Sequence, residues 1–146
     1  MKRLLALALA LVSSYSYAVD AYITKVDAPD NVVVVPGTGL AQFSLITSNF
    51  PSGTGLKTKT LQGIDWSTTS YPNNTEWVEL CYYRPYNNTA PVGCEVISAS
   101  SSGTVNTFNS QSFGPGASVI IRHHVLSGQK PAYPAGTDTV TFRYSY

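Results

Sequence analysis

The stretch Thr139-Val140-Thr141-Phe142-Arg143-Tyr144-Ser145-Tyr146 decides the fold class. Side chains on an extended chain point alternately to opposite faces. That places Val140, Phe142, Tyr144 and Tyr146 on one side and Thr139, Thr141, Arg143 and Ser145 on the other. One face belongs to a core and the other to water, the signature of a strand in an antiparallel sheet. Pro134-Ala135-Gly136 supplies the turn ahead of it.

Upstream, Ala117 to Leu126 repeats the period, with Ala117, Val119, Ile121, His123 and Val125 sharing a face. Gly114-Pro115-Gly116 opens this segment and Ser127-Gly128 closes it. From Glu76 to Arg84, Val78, Leu80 and Tyr82 share one face and Trp77, Cys81 and Tyr83 the other, so both sides of this strand call for cover. Weaker strand candidates are Ala21–Val26, Val32–Val35, Leu40–Thr47, Lys57–Leu61, Gly93–Ser98 and Thr104–Phe108. Ala99 to Gly103 reads as a loop. About nine short strands with Gly, Pro, Asn and Ser between them, and no sustained helical period, predict an all-β chain. The expected architecture is a single antiparallel β-sandwich, immunoglobulin-like, with one disulfide.

At the other end, Met1-Lys2-Arg3 precedes an apolar run, Leu4 to Val12, and Ser16-Tyr17-Ala18 supplies small residues at a cleavage spacing. Residues 1–18 are therefore expected to be a bacterial secretory signal peptide, and 19–146 the β-sandwich domain. The apolar run is too short to cross a bilayer, and no later one is longer, so no membrane span is expected. Without Lys2 and Arg3 the formal charge falls from +1 to −1, and charged residues make up only 12% of the chain. Such sparse, scattered charge argues against nucleic acid as a partner. Cys81 and Cys94 are expected to pair in the oxidising compartment that the leader implies.

Residues of the types that carry chemistry have plainer readings. His123 and His124 are neighbours on a strand and leave on opposite faces, so they cannot chelate one metal together. His123, on the apolar side, is expected to be a hydrogen-bonded core histidine. Glu76 and Glu79 also leave on opposite faces and read as solvated strand charges rather than a glycosidase pair. No Gly-x-Ser-x-Gly elbow, phosphate loop, dinucleotide fingerprint or C-x-x-C pair is present. The chain is expected to have no catalytic residues, no metal site and no cofactor. Asn73-Asn74-Thr75 and Asn87-Asn88-Thr89 read as turn chemistry. Tyr82, Tyr83, Tyr86 and Tyr133 are candidates for an aromatic sugar-binding surface, against the plainer reading of core and rim packing.

From Trp66 onward, the order of landmarks resembles the flagellar FlhE family. These landmarks are Trp66, Leu80-Cys81, Cys94, Ser102-Gly103-Thr104, Phe108, the strand Val119–Val125, Gly128, Pro131-Ala132, Val140 and Tyr144. The resemblance implies a periplasmic, non-catalytic accessory protein of flagellar assembly, acting as a chaperone or limiting proton leak through the export apparatus. Its partner would be a flagellar export or assembly component, held by strand addition at a sheet edge or on a loop surface. A rival resemblance links Pro134 to Tyr146 with the last strand of chaperone–usher pilins, which implies a cell-surface fimbrial subunit or adhesin with other pilus subunits as partners. Lys25 interrupts the better face of the only candidate donor strand, Val19 to Val26, which counts against the pilin.

Overall fold

The computed structural model describes residues 17–146, so all but the last two residues of the expected leader lie outside the described residues. Nine strands follow in chain order: β1 (Asp20–Asp27), β2 (Gly37–Ser44), β3 (Lys59–Ser67), β4 (Asn74–Tyr83), β5 (Gly93–Ile97), β6 (Ser102–Val105), β7 (Ser112–Phe113), β8 (Ser118–Gly128) and β9 (Asp138–Ser145). A single 3-10 turn, Thr47–Asn49, interrupts them. Among the described residues no helix is long and apolar enough to cross a membrane.

Two antiparallel sheets form. One runs β1-β9-β3-β6, with β7 also on β3, and the other runs β2-β8-β4-β5. Of strands consecutive in the chain, only β4 and β5 pair with each other; most connections cross from one layer to the other. The alternation in the last segment is realised in full. Val140, Phe142 and Tyr144 are buried, while β9 lies between β1, paired in unbroken register, and β3, whose ladder with β9 shifts between Leu61 and Gly63. Their inner faces meet Phe43 of β2, Val78 and Leu80 of β4, and Val119 and Ile121 of β8. Burying one such side chain contributes roughly 1.5–3 kcal/mol.

Val32–Val35 departs from expectation. Only Val32 makes a ladder contact, with Ala132; Val35 is buried, and Val33 and Val34 are exposed. Four consecutive valines carry no two-residue period, and burial at 32 and 35 is a loop spacing. Val32 and Val35 instead join Tyr71, Val125 and Ala132 in a small second core. β7 was not expected, because two residues pairing with Lys59 and Thr60 leave no pattern to read. The loop expected over 99–103 gives way to β6 at Ser102, where Gly103 lies against the Trp66 ring. A side-chain carbon on Gly103 would meet that ring at 2.8 Å.

The crossing connections gather at two ends. Segments 28–36, 68–73, 98–101 and 129–137 lie at one, here the histidine end for His123. Segments 45–58, 84–92 and 106–117 lie at the other, the lysine end for Lys59.

Candidate functional site

At the histidine end, His123 sits on the inner face of β8 with no exposure. Its Nδ1 lies 2.8 Å from Glu76 Oε2 and its Nε2 lies 2.9 Å from Asp138 Oδ2. Glu76 shares the inward face of Val78, Leu80 and Tyr82, and lies opposite the buried Val125 just past a register shift between Thr75 and Glu76. Asp138 comes from the other sheet, at the start of β9. The cluster therefore ties the two layers together.

A neutral imidazole donates through one nitrogen only, whereas two carboxylates here each need a donor. The geometry calls for an imidazolium. Burial opposes that charge, but the hydrogen bonds and charges of Asp138 and Glu76 outweigh it and raise the pKa to about 9. The second carboxylate oxygens hold the loops: Thr69 N–H donates to Asp138 Oδ1 at 2.8 Å, and Tyr71 N–H to Glu76 Oε1 at 2.7 Å. Tyr71 O–H donates to the Asp30 carbonyl, and its ring packs edge-on to His123 at 5.6 Å. Burial, then the charges of Glu76, Asp30 and Asp138, raise the Tyr71 pKa. Gly39 leaves the room that the Tyr71 hydroxyl occupies.

His123 is thus the hydrogen-bonded core histidine expected, but Glu76 is not a solvated charge, its side chain being only 6% exposed. The two-residue period already sets Glu76 on the inward face of Val78, Leu80 and Tyr82; the error lies in reading a charge there as solvated, when His123 supplies its buried partner. With both ring nitrogens facing carboxylates, His123 has no lone pair to offer a serine, so the cluster does not form a nucleophile–base pair.

On the outer face of the same sheet, Trp77 and His124 stack with ring centroids 3.9 Å apart. Glu79 Oε1 lies 3.0 Å from His124 Nε2 and 3.5 Å from Arg122 Nη1. Arg122 donates in turn to the Tyr83 hydroxyl at 2.6 Å. Beside this row, Cys81 and Cys94 stand directly opposite each other on β4 and β5 and form the disulfide. The bridge joins neighbours in one sheet rather than the two layers. Glu79, Cys81 and Cys94 bring three possible ligand atoms within 4.8 Å of one another, but two are the bonded sulfurs, which offer no thiolate.

The four tyrosines do not make one surface. Tyr82 is in the core with its hydroxyl on the Ser112 carbonyl, and Tyr83 is buried under Arg122. Tyr86 and Tyr133 are exposed at opposite ends of the sandwich. Asn73 and Asn74 act as turn residues, with the Asn74 amide donating to the carbonyls of Ser127 and Gln129.

No protein-family model and no curated protein sequence matches the chain. Among solved structures, the crystal structure of FlhE aligns over 86% of this chain and 96% of its own, with a TM-score of 0.59 at 14% identity. The chain has an FlhE-like fold. Desmodium yellow mottle tymovirus aligns at a TM-score of 0.41 and 12% identity, over 94% of this chain and 92% of its own. Turnip yellow mosaic virus aligns at 0.41 and 16%, over 99% and 89%.

Proposed function

We propose that this is an exported, periplasmic accessory protein of flagellar assembly that binds a protein partner and performs no chemistry on it. The FlhE-like fold, spanning nearly the whole of both chains, is the observation that carries this reading. The surroundings of β9 favour it over the pilin. A pilin subunit keeps an open groove beside its last strand for a neighbour's donor strand, whereas β9 is paired along its length with β1 on one side and β3 on the other.

The sheet edges fit a binding role. Asp27 Oδ2 accepts from the Gln42 N–H, and Asp30 N–H donates to the Leu40 carbonyl, so the β1–β2 connection blunts the β2 edge. β5 is paired on one side only and carries the exposed Val96. Deleting the gene is expected to alter swimming or flagellar placement and to leave surface pili intact. Normal swimming with failed pilus assembly would overturn the reading.

A further inference from the structure

The lysine end carries a buried cation with no ion-pair partner among the described residues, Asp20 at this end being hydrogen-bonded to Gln62 instead. Lys59 opens β3 and points inward, only 6% exposed. Its Nζ donates to the carbonyls of Thr54 at 2.6 Å and Lys57 at 2.9 Å, and sits 5.1 Å from the Phe50 ring centre. An ammonium has three protons to donate, and these two acceptors are neutral. Among the described residues no carboxylate pairs with Lys59 or with Lys57, whose own Nζ rests over the Tyr146 ring at 5.3 Å. Nor is an acid near in sequence. Segments 45–58, 84–92 and 106–117 hold Lys57 and Arg84 and not one Asp or Glu.

A buried charge without a partner is costly to keep, and proteins ordinarily pair it or replace it. Burial, and then the neighbouring Lys57, pull the Lys59 pKa below the ordinary lysine value. The two lysines also line a groove of about 290 Å³, whose other walls include Leu56, Pro85, Phe113 and Pro115. Leu56 is fully exposed. An apolar trough with an unmatched positive charge in its wall is complementary to a carboxylate carried beside apolar side chains.

We infer that this groove docks an extended, acidic and apolar segment of the partner protein, whose carboxylate meets the Lys57–Lys59 pair while its apolar side chains lie on Leu56, Pro85, Phe113 and Pro115. The inference rests on the partner-binding reading above and adds the chemistry of the partner. A carboxylate arriving at Lys59 supplies the missing acceptor and draws its pKa back upward.

The experiment uses the oxidised protein and a labelled hexapeptide alternating leucine with glutamate, followed by fluorescence polarisation and by amide chemical shifts. Binding is expected to be saturable, to weaken with salt, and to shift amides at 55–59 and 112–115. A leucine–glutamine hexapeptide is expected to bind at least tenfold more weakly. Lys57→Gln, at an exposed position, should weaken binding several-fold, and Lys59→Met should abolish it while the far-ultraviolet spectrum stays native. Equal binding of the two peptides, unchanged binding by both variants, or shifts elsewhere would each overturn the inference. So would saturable binding of octanoate at the same amides with none of the glutamate peptide, which would mark a site for small amphiphiles. Motility is read separately: a gene deletion that leaves swimming normal defeats the flagellar reading but not a groove that binds the peptide.

Discussion

The two ends of this sandwich bury charge in opposite ways. At the histidine end, an imidazolium is enclosed by two carboxylates, and each carboxylate spends its other oxygen on a loop N–H. At the lysine end, an ammonium is enclosed by two carbonyls and a phenyl ring, with no acid in any of the connections around it. The first arrangement satisfies every partner from within the chain and acts as a clamp between the layers. The second leaves an electrostatic demand open. Closure suits a structural element, and an open demand suits a place where something else binds.

The most severe way to break the contrast is Asp138→Ala. It strands His123 on one carboxylate and orphans the Thr69 N–H, and should cost about 3–5 kcal/mol in urea unfolding. A loss below about 1 kcal/mol would mean that the clamp does not hold the layers together.

Next comes pH. The folded pKa of His123, about 9, stands above the ordinary 6.5. Its stabilisation is therefore complete below pH 6.5 and is lost as pH rises through 9, about 3 kcal/mol in all. Urea midpoints measured at pH 6 and pH 9.5 should show this decline. Lys59 has the opposite sign. Its folded pKa lies below the unfolded value, so its contribution improves as pH rises toward the ordinary lysine pKa. Lys59→Met should therefore steepen the alkaline decline while leaving stability at pH 7 within about 1 kcal/mol of the parent, because an apolar stem replaces an unpaired buried charge. The smallest effect is reserved for Arg143→Gln. Its ion pair with Asp65 is two-fifths exposed on both sides, and its removal should cost less than about 1 kcal/mol by thermal denaturation.

What the sequence disclosed follows the same division. The two-residue period placed β8 and β9, set Val78, Leu80 and Tyr82 on one face of β4 and Trp77, Cys81 and Tyr83 on the other, with both faces calling for cover, and put His123 and His124 on opposite faces. Those are local facts of a regular strand. The same period puts Glu76 on the face of Val78, Leu80 and Tyr82, but its meeting with His123 depends on the β4–β8 pairing, and Asp138 comes from a strand in the other layer, so the partners of His123 were not readable. Lys59 was expected in the middle of a strand over Lys57–Leu61, whereas it opens β3, and nothing local marks it as buried. Its cover comes from Phe50 and the Thr54–Lys57 turn, folded back by β7 and the groove wall. The absence of acids from 45–58, 84–92 and 106–117 was on view in the sequence. It acquires meaning only once the fold gathers those three segments at one end.

The pairing of β1 with β9 carries a consequence for how the molecule comes into being. Asp20 lies against Ser145 and Asp27 against Asp138, so the earliest strand to emerge has its ladder partner among the last. Loop closure over that separation must be met before the contact returns anything. Whether the chain leaves a ribosome or a translocation pore, its first sheet cannot be completed until residue 145 is free. Until then Ile23 waits with its ladder partner Phe142 undelivered, and an unfinished copy remains threadable.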